Sequence, residues 1–148
     1  MGTDDAITWN APDSDHPGRI AARRSLNAVA AGDVEAWLAV YTPDAVVEDP
    51  VGPSMFDPEG KGHRGHDGLR AFWNTVIATV DTYRFTIHDS FVNGNVCANV
   101  ATFTTTFADG TIVDTDLITV YTVDDDGLIT SMRAHWEPDR AMATARKG

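Results

Sequence analysis

The chain predicts an α+β fold, three helices followed by a mostly antiparallel sheet. Apolar residues recur at helical spacing in three stretches of the first half. From Tyr83 onwards the period changes to two, the pattern of strands with one buried face. Three glycine-bearing turns, Asn93-Gly94-Asn95, Asp109-Gly110 and Asp124-Asp125-Asp126-Gly127, divide that second half into strands joined as hairpins.

The bulk properties narrow the function. A chain of 148 residues is one domain with room for a sizeable core. Its net charge of -11 argues against nucleic acid and against an anionic membrane as partner. No apolar run is long enough to span a bilayer, and the acidic start Met1-Gly2-Thr3-Asp4-Asp5 lacks the features of a secretory signal. A single cysteine, Cys97, cannot form an internal disulfide, so a cytoplasmic location is expected.

Residues 1–17 are polar and proline-bearing and read as a flexible N-terminal arm. Residues 18–31 are rich in Ala, Arg and Leu and predict a first helix with Ile20, Leu26, Val29 and Ala30 as its apolar stripe. Gly32 closes it and Asp33 caps the next helix, from residue 34 to about 41. Trp37 and Tyr41 share a face of that helix, either as a core pair or as a ligand wall. A turn at Pro43-Asp44 leads into a strand over residues 45–49, and Pro50 stops it. Ala45, Val47 and Asp49 share one face of this strand, while Val46 and Glu48 face the other way, with Glu48 solvated. Asp49 is then an acid at the end of an apolar face. Poor hydration raises a carboxyl pKa towards working pH and suits it to be a general base; the plainer reading is a strand-ending turn residue.

Residues 51–63 form a Gly/Pro-rich loop, either a lid or a tolerated insertion. Met55 and Phe56 are unusual in a solvated loop and favour a role at a cavity mouth. His63 and His66 lack a third or fourth ligand at matching spacing, so no metal site is expected and the pair reads as the polar start of the third helix. That helix covers residues 68–80, capped by Asp67, with Leu69, Phe72, Trp73, Val76, Ile77 and Val80 as its core face. Phe72 and Trp73 are adjacent, which leaves one of them free to reach a cavity. Strands follow over residues 83–92, 96–108, 111–123 and 128–136. In the third of these, Val113, Thr115, Leu117, Thr119, Tyr121 and Val123 share one face, and Ile112, Asp114, Asp116, Ile118 and Val120 the other. Apolar residues on both faces predict a homodimer packed through the sheet. Residues 18–140 make the single domain, and 141–148 a polar tail.

The segment Ala45-Val46-Val47-Glu48-Asp49-Pro50-Val51-Gly52 resembles the one that carries the catalytic aspartate in ketosteroid isomerases. The likeness extends to Ala31-Gly32-Asp33, to Arg64-Gly65 before a helix holding Phe72-Trp73, to Asp126-Gly127-Leu128-Ile129, and to the closing strand from Met132 to Trp136. The chain thus resembles a ketosteroid isomerase-like protein of the nuclear transport factor 2-like (SnoaL-like) superfamily. The resemblance implies a cone-shaped fold in which three helices pack on a strongly curved, mostly antiparallel sheet and enclose one pocket. It implies Asp49 as the proton-shuttling base, no cofactor and no metal, and a small apolar substrate such as a steroid or a polyketide-like carbonyl compound. Trp37, Tyr41, Val47, Phe56, Phe72, Trp73 and Met132 are the expected pocket wall.

Such a reaction also needs donors for the oxyanion. The family's tyrosine on the first helix and its protonated aspartic acid on a late strand fall here on Ser25 and Thr119. Asp116, Tyr121 and Trp136 are the alternative donors, Asp116 only if a bulge turns it inward. The expected activity is a double-bond shift or related isomerisation or cyclisation. The rival expectations are a non-catalytic binder of small apolar molecules, or an epoxide hydrolase or dehydratase using Asp49 with Asp116 and Arg133.

Overall fold

The computed structural model describes residues 6–148. Of the expected N-terminal arm, residues 1–5 lie outside the described residues. Ile7–Trp9 form a short strand, β1, which runs parallel to the later strand that contains Phe85–Ile87.

Helix α1, Pro17–Ala31, begins at a proline whose missing N–H costs nothing in the first turn. His16 caps it, accepting from Gly18 N–H at 3.0 Å, and Gly32 ends it in the left-handed conformation that glycine adopts freely. Its buried face is made of Ala21, Ala22, Ser25, Leu26 and Ala28, while Ile20 of the expected stripe faces solvent. Small side chains let this helix lie close to the sheet. At Gly18 a methyl group would meet Cys97 Cβ at 2.7 Å, so only glycine fits there.

Helix α2, Val34–Ala39, is capped by the Asp33 carboxylate, which accepts from Ala36 N–H at 3.0 Å. It ends earlier than expected. Tyr41 already belongs to strand β2, Tyr41–Glu48, which absorbs the expected turn at Pro43-Asp44. Pairing with a later strand overrides local turn preference here: Tyr41 sits beside Ile129 and Val47 beside Met132, with an irregular register between them. Strand β3, His63–Arg64, runs antiparallel to β2. Helix α3, Gly65–Thr75, then starts and stops before the expected 68–80 span, with Asp67 inside its first turn rather than capping it. The β-branched pair Thr75-Val76 ends it, and Ile77–Thr79 form a separate 3₁₀ turn.

The period-two half folds as strands β4, Thr82–Asn93, β5, Val96–Thr106, β6, Thr111–Val123, and β7, Ile129–His135. They pair antiparallel in sequence order. The faces of β6 are those read from its sequence. Val113, Leu117, Thr119, Tyr121 and Val123 are buried, and Asp116 and Ile118 are exposed.

Two features of the expected architecture are corrected. Four α-helices, not three, occur among the described residues, because part of the polar tail folds as α4, Pro138–Met142, started by Pro138 and followed by strand β8, Arg146–Lys147, against β6. The sheet, moreover, is not the strongly curved sheet expected to enclose the pocket. It is an open path in the order β1-β4-β5-β6-β7-β2-β3, with the very short β1 and β3 at its two edges. Helices close the interior instead, with α1 lying across β4, β5 and β6 and α3 against β2.

One tie fixes α1 to the sheet. Arg19 is 6 % exposed, and among the described residues its hydrogen-bond partners are neutral: it donates to Ser90 Oγ at 2.9 Å, Ser90 O at 3.0 Å and Ser14 Oγ at 3.0 Å. Removing it takes a charged donor from the buried Ser90 carbonyl and leaves the Ser90 hydroxyl only its long contact with Cys97 Sγ, 3.9 Å. Arg19→Leu is expected to cost about 2 kcal/mol, a fall of roughly 4–8 °C in Tm, read by thermal denaturation. An unchanged Tm would sink the assignment of Arg19 as a structural tie.

Candidate active site

The inner faces of β2 and β4–β7, with α1, α2, α3 and α4, surround a cavity of about 270 Å³. Its wall is mostly aromatic and aliphatic. Trp37 and Tyr41 lie on it with their rings in edge contact at 5.1 Å, although they belong to a helix and a strand rather than to one helix face. Phe56, Phe72 and Met132 also line it. Val47 and Trp73 do not. Val47 is fully enclosed in the core, and Trp73 packs behind the wall against Trp37 at 5.4 Å. Of the loop pair, Phe56 turns towards the cavity while Met55 is 75 % exposed. The Asp57 carboxylate holds the loop's shape by accepting from Gly62 N–H at 2.7 Å and Lys61 N–H at 3.2 Å. The two histidines do not converge on a common point: His66 Nε2 pairs with Tyr41 O at 3.0 Å, and the His63 ring packs at a tilt against Phe72 at 4.5 Å.

Asp49 is set just beyond the end of β2. Pro50 cannot continue the ladder, and the chain resumes contact with β7 where Val51 N–H donates to Ala134 O at 2.9 Å. The residue is part-exposed, but its carboxylate faces the apolar cavity wall. Lost hydration raises its pKa from 3.8 to about 6. Trp136 opposes this, since its indole N–H donates to Asp49 Oδ1 at 2.5 Å and favours the ionised form.

The other polar side chains divide into two sets. Ser25 and Tyr121 line the cavity, whereas Thr119 is buried behind it. Asp116 stays on the outer face, because the β5–β6 ladder runs through it without a bulge. It accepts from Thr102 Oγ1 at 2.7 Å and pairs with Arg140 at 3.3 Å. Arg133 is also outside, paired with Glu48 at 2.6 Å. The trio of Asp49, Asp116 and Arg133 that a hydrolase or dehydratase would use is therefore not assembled. Several wall residues had no signal in the sequence. Tyr83, Phe103 and Phe107 lie on strands read simply as sheet, and Ala141 and Met142 lie in the stretch read as tail.

The raised pKa of Asp49 makes it a cost to folding when ionised. Asp49 holds its proton more tightly in the folded chain, so its contribution is complete below the unfolded pKa, about 3.9, and is lost as pH rises through about 6. Asp49→Asn is thus expected to be more stable than the wild type at pH 8 by on the order of 2 kcal/mol, a value reduced for part exposure. The difference should vanish near pH 4. Urea denaturation of both proteins at the two pH values checks this, and a difference independent of pH would contradict the burial of the carboxylate.

A family model described as the SnoaL-like domain matches residues 22–132. The Steroid Delta-isomerase of Nocardioides simplex is 34% identical over 127 residues, covering 85% of this chain and 94% of its own. The crystal structure of Delta 5-3-Ketosteroid Isomerase from Mycobacterium sp. aligns with a TM-score of 0.78 at 34% identity, over 90% of this chain and 99% of that one. RV0760c from Mycobacterium tuberculosis, crystallised in complex with estradiol-17beta-hemisuccinate, aligns with a TM-score of 0.78 at 31% identity, over 89% of this chain and 99% of that one. The chain is accordingly a ketosteroid isomerase-like member of the SnoaL-like family, with the nuclear transport factor 2-like fold.

Proposed function

We propose that this protein is a steroid Delta-isomerase-like enzyme that moves a carbon–carbon double bond into conjugation with a carbonyl, using Asp49 as the general base. The observation that carries this reading is the Asp49 carboxylate in an apolar cavity, with a pKa raised to about 6 and one indole N–H as its partner. A base with that pKa is ionised at neutral pH and is still basic enough to take a proton from carbon. It removes the proton from the carbon between the carbonyl and the double bond, and the electron pair moves to the carbonyl oxygen to give a dienolate. The resulting carboxylic acid returns the same proton to the far carbon, so no other reactant is needed. The cavity, about 270 Å³, lies just below the roughly 300–1,000 Å³ of ligand sites, which suits one steroid-sized apolar molecule at most. The relatives support the substrate class, being a steroid isomerase by name and a protein crystallised with a steroid derivative.

The test is the appearance of the conjugated enone from 5-androstene-3,17-dione, followed by absorbance. Asp49→Asn is expected to lower kcat by a factor of about 100 or more. For the wild type, kcat/KM should rise with pH and level off above about 6, because the free base must be ionised. Trp136→Phe removes the donor that favours the ionised form, so its acid limb should move to higher pH. No turnover by the wild type, with steroid still bound, would replace the isomerase by a non-catalytic binder.

The outer sheet face is proposed to pair with a second copy of the chain. Val100 and Ile118 are cross-strand partners that stay 37 % and 46 % exposed, and Phe91 is 61 % exposed. The ion pairs Arg133–Glu48 and Arg140–Asp116 lie on this side and would give the interface a polar rim. Light scattering should give a dimer for the wild type and a monomer for Ile118→Glu; a monomeric wild type at micromolar concentration would rule the pairing out.

A further inference from the structure

The family's two oxyanion donors are absent from their expected positions, where Ser25 and Thr119 stand. The cavity's other polar groups show what replaces them. Most donors already have partners. The Trp136 indole N–H is held by Asp49, Tyr83 O–H donates to Ile77 O at 3.0 Å, Thr79 O–H to Val76 O at 2.6 Å, and Thr105 O–H to Val113 O at 3.3 Å. Thr75 is exposed and Thr115 part-exposed, so both have access to water.

Tyr41 and Tyr121 differ from these. Both line the cavity and both are 2 % exposed. Trp37 lies against the Tyr41 ring at 5.1 Å, and Thr119 is buried two residues from Tyr121 on the same face of β6. Trp37 has only a donor to offer, and Tyr41 shares just one long contact, 3.4 Å, with Ser25 Oγ. Among the described residues neither phenol has a shorter hydrogen bond than that contact, so each can keep its own proton for a ligand. Burial and the nearby Asp49 raise both phenol pKa values, so both hydroxyls remain donors at working pH. Tyr121 also sits in the same cross-sheet row as Met132 and Val47, and Asp49 follows Val47 by two residues, just past the end of β2. That row spans two inter-strand spacings, roughly 10 Å, which leaves room for a carbonyl and its neighbouring carbon between phenol and carboxylate.

We propose that the hydroxyls of Tyr121 and Tyr41 together hold the substrate's carbonyl oxygen and its oxyanion, with Ser25 beside Tyr41. This rests on the isomerase reading for its chemistry but not for its binding geometry. The probe is a series of substituted 2-naphthols, phenolic mimics of a dienolate, bound to Asp49→Asn protein so that the base site is neutral. Fluorescence titration should show affinity that depends on the naphthol's pKa. Tyr121→Phe and Tyr41→Phe in that background are each expected to weaken binding about tenfold and to flatten the dependence. In the otherwise native enzyme each should lower kcat about a hundredfold with KM within about threefold. Phe keeps the ring, and Tm measured beside each assay controls for folding. Wild-type affinity and dependence in both Phe variants would overturn the proposal, as would a loss reproduced in full by Ser25→Ala alone. If the isomerase assay fails while the naphthol series behaves as stated, the reaction is wrong and the donor pair stands.

Discussion

The Asp49 carboxylate must sit in a place that withholds water and still leave it able to ionise. Full burial without a partner would keep it protonated near neutral pH, and full hydration would leave it too weak a base. A hydrogen bond to a charged group contributes on the order of 1.5–3 kcal/mol, comparable to the shift that burial imposes. The single indole donor from Trp136 therefore offsets much of the desolvation, and the pKa settles at about 6. The rest of the site is arranged around that balance. Pro50 ends the strand so that the carboxylate meets the cavity, and the aromatic wall excludes competing water.

Holding such a cavity open inside a single domain needs a frame that does not collapse into it. The frame is the hairpin sheet with α1 pressed onto it through small side chains, Gly18 above all. Arg19 fastens that helix to Ser90 with two hydrogen bonds and to Ser14 with a third. Tyr41 and Trp37 then bridge helix and sheet at the cavity wall, so the same ring pair serves packing and ligand. The 3₁₀ turn, Phe56 and α4 add the remaining wall without extending the sheet.

A substitution at one position of a hydrogen-bonded pocket need not remove the function the position served. Oxyanion stabilisation asks for a proton on an electronegative atom at a suitable place, not for a given residue number. Ser25 is a poor replacement for a phenol as a direct donor, but it lies against one that is already buried. The cavity holds three tyrosines, of which Tyr83 donates to the backbone and Tyr41 and Tyr121 do not. Chemistry lost at the ends of two elements can thus be recovered from other elements facing the same space.

The helix caps at Gly32 and Asp33, the strands from Thr82 onwards and the two faces of β6 were legible from residue order, because capping, turn chemistry and period-two burial act between neighbours in the chain. So was Asp49, whose parity with Val47 and position before Pro50 are local facts. The strand start at Tyr41, the short α3 and the folding of the tail into α4 were not, since partners far along the chain decide them against local preference. The same holds for the site. Trp136 meets Asp49 across 87 residues, and Asp116 is kept outside by the unbroken β5–β6 register. Sequence alone determined the type of fold, the strand faces and the acid at the strand's end. Only the tertiary structure decided which groups surround that acid, how far its pKa rises and which hydroxyls face it, because hydration and hydrogen bonding depend on distances that no local pattern encodes.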